Sequence, residues 1–219
     1  MAANPSQQQP ADDIEGAELF PGPRRTLYIV RHGKYEHVPL DEDDPDDPEG
    51  PLDETGRAQA ALLAERLRGL PISVIHCSTL QRALDTAGVI AQCFPSVEVR
   101  RSALLRECVP SVPPSIRDFL ERRMSARELV SGPPQARAAW DAYFQPPEGD
   151  ADEEQIIVSS GNLISYLVGR AIGAPDDAWI HTDIQHCGLT EIVVSQSRGA
   201  IVMRHNDIGH LPPELRTFV

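Results

Sequence analysis

The sequence predicts an α/β fold in three layers: an α/β/α sandwich whose central sheet is mostly parallel, with an antiparallel edge. Three apolar runs, TLYIV (26–30), ISVIHCS (72–78) and QIIVSS (155–160), are short and rich in β-branched residues, as expected for strands buried on both faces. Each run is followed, directly or after a loop, by apolar residues at helical spacing. Near the end, LTEIVVS (189–195) and AIVMRH (200–205) flank the turn sequence QSRG, which indicates a hairpin.

The helices between these strands are predicted from apolar periodicity and from their end signals. They cover residues 52–70, 79–94 and 163–173. Ser78 or Thr79 is the expected N-cap of the second helix, because a hydroxyl oxygen there can accept a bond from a free backbone N–H. Gly173, with a proline two residues later, is typical of the end of a helix.

The remaining segments predict a single domain over residues 25–219, preceded by a disordered tail at 1–24 that is rich in Gln, Pro and acidic residues. Within the domain, residues 41–50 form an acidic loop. Residues 97–107 predict a short strand and a loop. A proline-rich insertion at 110–150 follows, with short helices expected near 115–130 and 135–144.

Composition excludes several classes of function. The formal net charge of −13 and the sequence pI of about 4.9 argue against a nucleic acid or an anionic membrane as partner. No apolar stretch approaches the roughly 20 residues that span a bilayer, and the N-terminal residues do not resemble a signal peptide. The four cysteines are scattered without a C-x-x-C pair, which favours free thiols in the cytoplasm over a zinc site or a disulfide framework.

Charged side chains follow the ends of the predicted strands. Arg31 and His32 come directly after the first strand, Arg82 falls in the first turn of the helix after the second, and Glu107 lies in the loop after a third. The carboxyl ends of parallel strands share one edge of a sheet, where α/β proteins bind ligands. An arginine at a helix N-terminus opposes the helix dipole unless it holds an anion. Taken singly, His32 could instead make a structural hydrogen bond, and Arg82 a surface ion pair with Asp85.

Three motifs follow one another along the chain and together resemble those of a known family. They are V-R-H-G after the first strand, S-x-L-x-R-A-x-x-T-A after the second, and L-x-E ending at Glu107. Over residues 26 to about 205 the chain resembles the histidine phosphatase superfamily, whose fold is that of phosphoglycerate mutase. The R-H-x-x-Y sequence ending at Tyr35, Tyr166 after G-N-L-I-S, and the closing hairpin are similar to the branch containing a mitochondrial Ser/Thr protein phosphatase.

The resemblance implies a role for each matching residue. His32 is the nucleophile and becomes a phosphohistidine, which requires a neutral imidazole. Arg31 and Arg82 bind the phosphoryl oxygens through their planar guanidinium groups. Glu107 is the general acid for the leaving oxygen and then the general base for water. No metal or other cofactor is implied, since the arginines supply the positive charge.

One position departs from the family pattern. The family has a second histidine at the end of the third strand, in a turn written H-G-N or H-A-N, and here that turn reads Ser160-Gly161-Asn162. Gly161 is expected to let the backbone approach a ligand. Three explanations stay open for Ser160: a natural relative of low activity, a substitution made to trap a ligand, or another histidine standing in. His186, just before a strand expected to run antiparallel, would reach the same edge, although a loop or edge histidine without a role is the favoured interpretation of that residue.

These observations favour a phosphomonoesterase, with activity reduced by Ser160. Its partners would be small-molecule or protein phosphomonoesters, with phosphate or sulfate bound in the pocket. A catalytically impaired phosphate-binding or scaffold protein is the alternative. A phosphoglycerate mutase is less favoured, because mutases usually follow the nucleophile with G-E-S-x-x-N, and residues 33–38 read GKYEHV. A homodimer through the last hairpin is a further option, since its outer strand could expose an edge.

Overall fold

The computed structural model describes residues 21–37 and 50–218. Most of the predicted tail (1–24) and of the acidic loop (41–50) therefore lies outside the described residues. The first strand begins at Arg24, two residues earlier than the apolar run suggests. Arg25 pairs with the strands on both sides, and Arg24 continues the pairing on one side.

Six strands form the central sheet in the order β3-β2-β4-β1-β5-β6. Strands β1, β2, β3 and β4 are mutually parallel where they pair, whereas β5 and β6 run antiparallel, which confirms the predicted fold class. Their bounds are β1 Arg24–Arg31, β2 Ile72–Ser78, β3 Glu98–Ser102, β4 Glu153–Ser159, β5 Leu189–Ser195 and β6 Gly199–Asp207.

The helices between these strands are α1 Glu54–Leu67, α2 Gln81–Ala91, α3 Arg117–Arg123, α4 Ala126–Tyr143 and α5 Gly161–Ala171. Side chains from β1 show how the sheet separates two cores. Leu27 and Ile29 pack in one core, with α4 and α5, whereas Tyr28 and Val30 pack in the other, with α1 and α2. This alternation follows the period of two along a strand and gives the three layers that the sequence predicts.

The expected N-cap of α2 was wrong. Leu80 occupies the N-cap position and makes no side-chain capping bond. The Ser78 hydroxyl instead accepts a bond from the backbone N–H of Leu80 at 3.2 Å, inside the tight turn between β2 and α2. The strand continues through Ser78, and the hydroxyl is therefore too early in the chain to reach the first turn of the helix.

The proline-rich insertion also differs from the expectation. It contains the short helix α3 and then the 18-residue helix α4, which continues through Pro133 and Pro134. The break between the helices falls at Met124–Ser125, where Ser125 and Glu128 form a capping box. The prolines remove two backbone N–H donors from the helix. They lie in a turn of α4 near the surface, where Val130 is 75% exposed, so water can bond to the carbonyls that have lost their donors.

The strand register brings three chain segments to one edge of the sheet. Arg31, the last residue of β1, pairs with Ser159, the last residue of β4. Leu189, the first residue of the antiparallel β5, pairs with Val30. The chain therefore leaves β1 and β4, and enters β5, at the same place. Strand β6 lies at the far edge of the sheet, with Met203 52% exposed, and the predicted homodimer through this hairpin stays a prediction.

Candidate active site

His32 lies immediately after β1 and is only 2% exposed. Its Nδ1 is 2.9 Å from the Gly33 carbonyl oxygen, and its Nε2 accepts a bond of 2.9 Å from Nε of Arg82. Since Arg82 can only donate, the proton of a neutral ring lies on Nδ1 and is donated to Gly33. Burial, followed by the positive charge of Arg82, holds the pKa of His32 well below its usual range, so the imidazole is neutral at pH 7.

The loop that carries His32 packs tightly against helix α1. A Cβ at Gly56, in the first turn of α1, would lie 1.9 Å from the carbonyl oxygen of Lys34, and one at Gly33 would lie 2.8 Å from the carbonyl oxygen of Gly56. Only glycine fits at Gly56 without moving backbone. The sequence analysis placed Gly33 in a motif but did not single out Gly56. The absence of a side chain at Gly56 lets the loop lie close to α1.

Arg82 occupies the first turn of α2, as predicted, and is only 3% exposed. Its guanidinium lies 4.7 Å from the centre of the Tyr35 ring, which makes a T-shaped contact with His32 at 5.3 Å between ring centres. The Thr86 hydroxyl donates to the carbonyl of Arg82 at 2.7 Å and accepts the backbone N–H of Gly33 at 3.0 Å. The R-A-x-x-T spacing thus ties the second strand-to-helix turn to the first.

Arg31 reaches the site from the end of β1 and is also buried. One Nη donates to the carbonyl of Ile184, and the side chain of Asp183 is 4.0 Å away. Nε of Arg31 has no hydrogen-bond partner among the described residues. A buried guanidinium with an unused donor is suited to an anionic ligand.

Glu107 follows a 3-10 turn at Ala103–Leu105 and is partly buried. Its carboxylate accepts the backbone N–H of Cys108 at 3.2 Å and those of Asn162 and Leu163 at 3.4 Å each. Glu107 therefore faces the first turn of α5, a contact that the sequence did not reveal. Removal from water raises the pKa of Glu107, and the nearby charge of Arg82 offsets part of that effect.

The turn between β4 and α5 carries Ser159, Ser160 and Gly161. The Ser159 hydroxyl donates to the carbonyl of Leu105 at 2.8 Å. Ser160 is fully buried, and its Oγ has no hydrogen-bond partner among the described residues. A Cβ at Gly161 would meet only the Arg31 side chain, 3.7 Å away, so the protein's own packing does not require glycine there. Position 160 thus offers a neutral hydroxyl in the same turn as Gly161, the residue that lies against Arg31.

His186 reaches the same site, three residues before β5. Its ring centre is 5.7 Å from that of His32, and it is only 3% exposed. Cys187, in the left-handed region at φ 54°, donates its N–H to the carbonyl of Arg31 at 3.0 Å, which fixes this loop to the end of β1. Burial, with Arg31 nearby, lowers the pKa of His186 to about 3, so this ring is also neutral at pH 7.

The structure thus brings together all seven residues that the sequence singled out: Arg31, His32, Arg82, Glu107, Ser160, Gly161 and His186. Tyr35 and Thr86 belong to the same cluster, and both lie in the quoted motifs. Gln59 and Thr217, which contact the cluster from α1 and from the C-terminal segment, carried no recognisable signal. Among the described residues, no group of three or more His, Cys, Asp or Glu side chains is arranged to hold a metal ion.

Comparison with known proteins shows the family to which the chain belongs. Residues 27–112 match the family model described as histidine phosphatase superfamily (branch 1). The mitochondrial serine/threonine-protein phosphatase Pgam5 of Drosophila persimilis is 30% identical over 214 residues, which cover 94% of this chain and 71% of that protein. Its counterpart in Drosophila yakuba is 33% identical over 200 residues, covering 88% of this chain and 66% of that protein. The chain belongs to the histidine phosphatase superfamily. Within it, the predicted similarity to the Pgam5 branch is confirmed.

Solved structures show the same fold. YhfR of Bacillus stearothermophilus superposes with a TM-score of 0.64 at 23% identity, over 85% of this chain and 98% of that one. A phosphoserine phosphatase mutant from Entamoeba histolytica gives a TM-score of 0.62 at 19% identity, over 86% of this chain and 100% of that one. The chain spans about two thirds of the length of the Pgam5 relatives. Those relatives are named mitochondrial, whereas the cytoplasmic location expected from the sequence stays a prediction. Within residues 21–37 and 50–218, no helix is both long and apolar enough to cross a membrane.

Proposed function

We propose that the protein hydrolyses phosphomonoesters through a phosphohistidine at His32. The observation that carries this proposal is the environment of His32. It is a buried, neutral imidazole whose Nδ1 is bonded to a backbone carbonyl and whose Nε2 lone pair faces Arg82. A histidine held in this tautomer, beside two buried arginines, is prepared to attack a phosphorus atom with Nε2.

The arginines would bind the phosphoryl group before attack. In the structure, Nε of Arg82 donates to Nε2 of His32, the atom proposed to attack. A phosphate offers charged acceptors in place of that neutral nitrogen, so the guanidinium moves its donors to phosphoryl oxygens and releases the lone pair. Arg31, with its unused Nε, supplies a second set of donors. Together they would neutralise the charge on the equatorial oxygens in the transition state.

Glu107 would transfer the protons. In the first step a bond forms between Nε2 of His32 and phosphorus, the ester P–O bond breaks, and Glu107 donates its proton to the leaving oxygen. In the second step Glu107 takes a proton from water, the water oxygen bonds to phosphorus, and the N–P bond breaks. The raised pKa of Glu107 supports the first role, because it increases the fraction of enzyme that holds a proton there.

His186 would supply part of what Ser160 lacks. In place of the family's second histidine, Ser160 offers a hydroxyl without charge. The ring of His186 is 5.7 Å from that of His32, and its Nε2 is buried without a partner among the described residues. We assign both side chains to phosphoryl binding, and we expect slower turnover than in a site with the family's second histidine.

Substrate class is proposed from the relatives. The Pgam5 proteins are named serine/threonine-protein phosphatases, so phosphoserine or phosphothreonine in a protein is the first substrate to test. A small-molecule phosphomonoester is the second. The neutral turn at Ser160 favours one other function, a phosphate-binding scaffold without turnover, which uses the same arginines but no proton transfer.

Hydrolysis of 4-nitrophenyl phosphate tests the proposal. We expect His32→Ala to lower kcat/KM by about 10³-fold or more, because the nucleophile is lost. His181→Ala, which removes an exposed histidine, is the matched control and should behave as the unmodified protein. Full activity in His32→Ala would refute the mechanism. Binding of inorganic phosphate by the unmodified protein without any turnover would establish the scaffold function.

Ser160→His tests the reason given for slow turnover. Adding the family's second histidine should raise kcat/KM by about tenfold to a hundredfold, since one preorganised donor is worth that much or more. Ser160→Asn, which adds a neutral donor without a titrating group, is the control. Equal turnover in the unmodified protein and in Ser160→His would show that position 160 does not limit the rate.

A further inference from the structure

The C-terminal segment contacts the site through a chain of hydrogen bonds that has no part in the mechanism above. Gln59, on α1, is fully buried and accepts the backbone N–H of Lys34 at 2.9 Å through Oε1. Its Nε2 donates to the carbonyl of Leu215 at 2.7 Å and to Oγ1 of Thr217 at 2.8 Å. Its amide orientation is determined by these partners, because a backbone N–H can only donate and a carbonyl can only accept.

Thr217 continues the chain to His186. Its Oγ1 is 2.9 Å from Nδ1 of His186, and its carbonyl accepts the backbone N–H of His186 at 3.1 Å. Thr217 is therefore bonded to both the main chain and the ring of His186. The two residues are 31 positions apart, so this arrangement is tertiary rather than local.

The ring of His186 has one occupied and one unoccupied nitrogen. Nδ1 is bonded to Thr217, whereas Nε2 is buried and has no partner among the described residues. A buried imidazole nitrogen without a partner costs free energy, and such costs are usually found where a ligand completes the bonding. The two ring nitrogens point in divergent directions, so a bond to Thr217 through Nδ1 turns Nε2 away from the C-terminal segment.

We infer that Gln59 and Thr217 are positioning residues for His186. The Thr217 hydroxyl accepts from Gln59 and donates to Nδ1 of His186, which holds the ring with its proton on Nε2, where it can donate to a phosphoryl oxygen bound beside His32. The inference rests on the proposed function for the presence of a phosphoryl group at this site. It adds a dependence that the family motifs do not contain: the binding of phosphate depends on a threonine near the C-terminal end of the described residues. Through Gln59, the same chain also contacts Lys34, two residues after the nucleophile.

Thr217→Val and Thr217→Ser provide the test, because valine has the shape of threonine without the hydroxyl and serine keeps the hydroxyl. The probe is inorganic phosphate, added to the full chain and followed by the imidazole resonances of His186 in ¹⁵N-labelled protein. We expect Thr217→Val to weaken phosphate binding by about fivefold to tenfold, as for the loss of one neutral hydrogen bond, and to change the His186 resonances. Thr217→Ser should keep the affinity within about twofold.

A second background separates positioning from general structure. In His186→Asn, Thr217→Val should have no further effect on phosphate binding, because the group that Thr217 orients is gone. An equal loss of affinity in both backgrounds would overturn the inference and make Thr217 a structural residue. His186 resonances that do not respond to phosphate in the unmodified protein would overturn it as well.

The binding measurement is independent of turnover. If the protein binds phosphate with the expected coupling between Thr217 and His186 but hydrolyses no ester, the proposed hydrolysis fails and the inference stands. If the protein hydrolyses 4-nitrophenyl phosphate and the coupling is absent, the inference fails and the hydrolysis stands. For an active enzyme, Thr217→Val should raise KM more than it lowers kcat.

Discussion

The parallel strands and the antiparallel hairpin bring polar side chains to the same edge of the sheet by different means. In the parallel half, Arg31 is the last residue of β1, and His32 and Ser160 come directly after β1 and β4, so their positions follow from where each strand ends. In the antiparallel half, His186 lies in the loop before β5. Its position depends on Cys187, which bonds to the end of β1, and on Thr217.

This difference affects how each half tolerates change. The parallel half holds its residues at or just after strand ends, where pairing within the sheet fixes the backbone. The antiparallel half holds one histidine through residues that are distant in sequence. We therefore expect substitutions in the parallel half to change the chemistry most, and substitutions around His186 to change affinity and stability by smaller amounts.

Among variants that keep His32, the largest effect is expected for Glu107→Gln, in the parallel half. Loss of the proposed proton donor should lower kcat/KM by about 10²-fold to 10⁴-fold. Burial raises the pKa of Glu107, so the protonated acid persists to higher pH than an ordinary glutamate, and the rate falls as pH rises through that pKa. Glutamine cannot titrate, and this basic limb of the pH profile should disappear. Glu191→Gln, in the hairpin, is the control and should keep both the rate and the limb.

Arg82→Lys should have the next largest effect. Lysine keeps the charge beside His32 but loses the planar group and the Nε donor. We expect kcat/KM to fall by about 10²-fold, with weaker binding of inorganic phosphate in a titration. Arg204→Lys, at a surface ion pair with Glu191 in the hairpin, should change neither quantity. A similar loss in both variants would show that the effect is not specific to the site.

Acid stability tests the hairpin half directly. The pKa of His186 is about 3 in the folded chain, below its ordinary value of 6.5, so the unfolded chain binds the proton first as pH falls. Stability should decrease from about pH 6.5 toward pH 3, by up to about 1.4 kcal/mol per pH unit for this group. Between pH 6.5 and 5, His186→Gln should lose about 1–2 kcal/mol less than the unmodified protein, as measured by urea unfolding.

His181→Gln, at an exposed position, is the control for that experiment and should follow the unmodified protein at every pH. His32 and the other buried histidines are present in all three proteins, and their contributions cancel in the comparison. Parallel stability curves for His186→Gln and the unmodified protein would contradict the buried, neutral state of His186.

The smallest effects are expected for two adjacent serines. Ser159→Ala removes a buried bond to the Leu105 carbonyl and should lower the free energy of unfolding by about 1 kcal/mol. Ser160→Ala removes a buried hydroxyl with no partner among the described residues and should raise that free energy by about 1 kcal/mol, because the cost of burying an unbonded polar group is lost. Urea unfolding at pH 7 measures both. Equal destabilisation would show that Ser160 has a structural role.

Much of the candidate site could be predicted because its residues are close to strand ends in the sequence. The strand ISVIHCS has the predicted bounds, and Arg31, His32 and Arg82 lie where the motifs place them. The N-cap of α2 and the helices of the insertion could not be predicted as well. Their positions depend on where a strand stops pairing and on whether surface prolines are tolerated.

The amino-acid sequence by itself determined the fold class, the edge of the sheet that carries the site, and the family. The reason is that the spacing of apolar residues and the motifs at strand ends are local properties of the chain. Only the tertiary structure decided that His186 belongs to the site, that Glu107 faces the first turn of α5, and that Thr217 contacts His186. Each of these contacts joins residues that are 31 or more positions apart in the sequence. Tertiary packing, and not a local sequence pattern, determines which of them form.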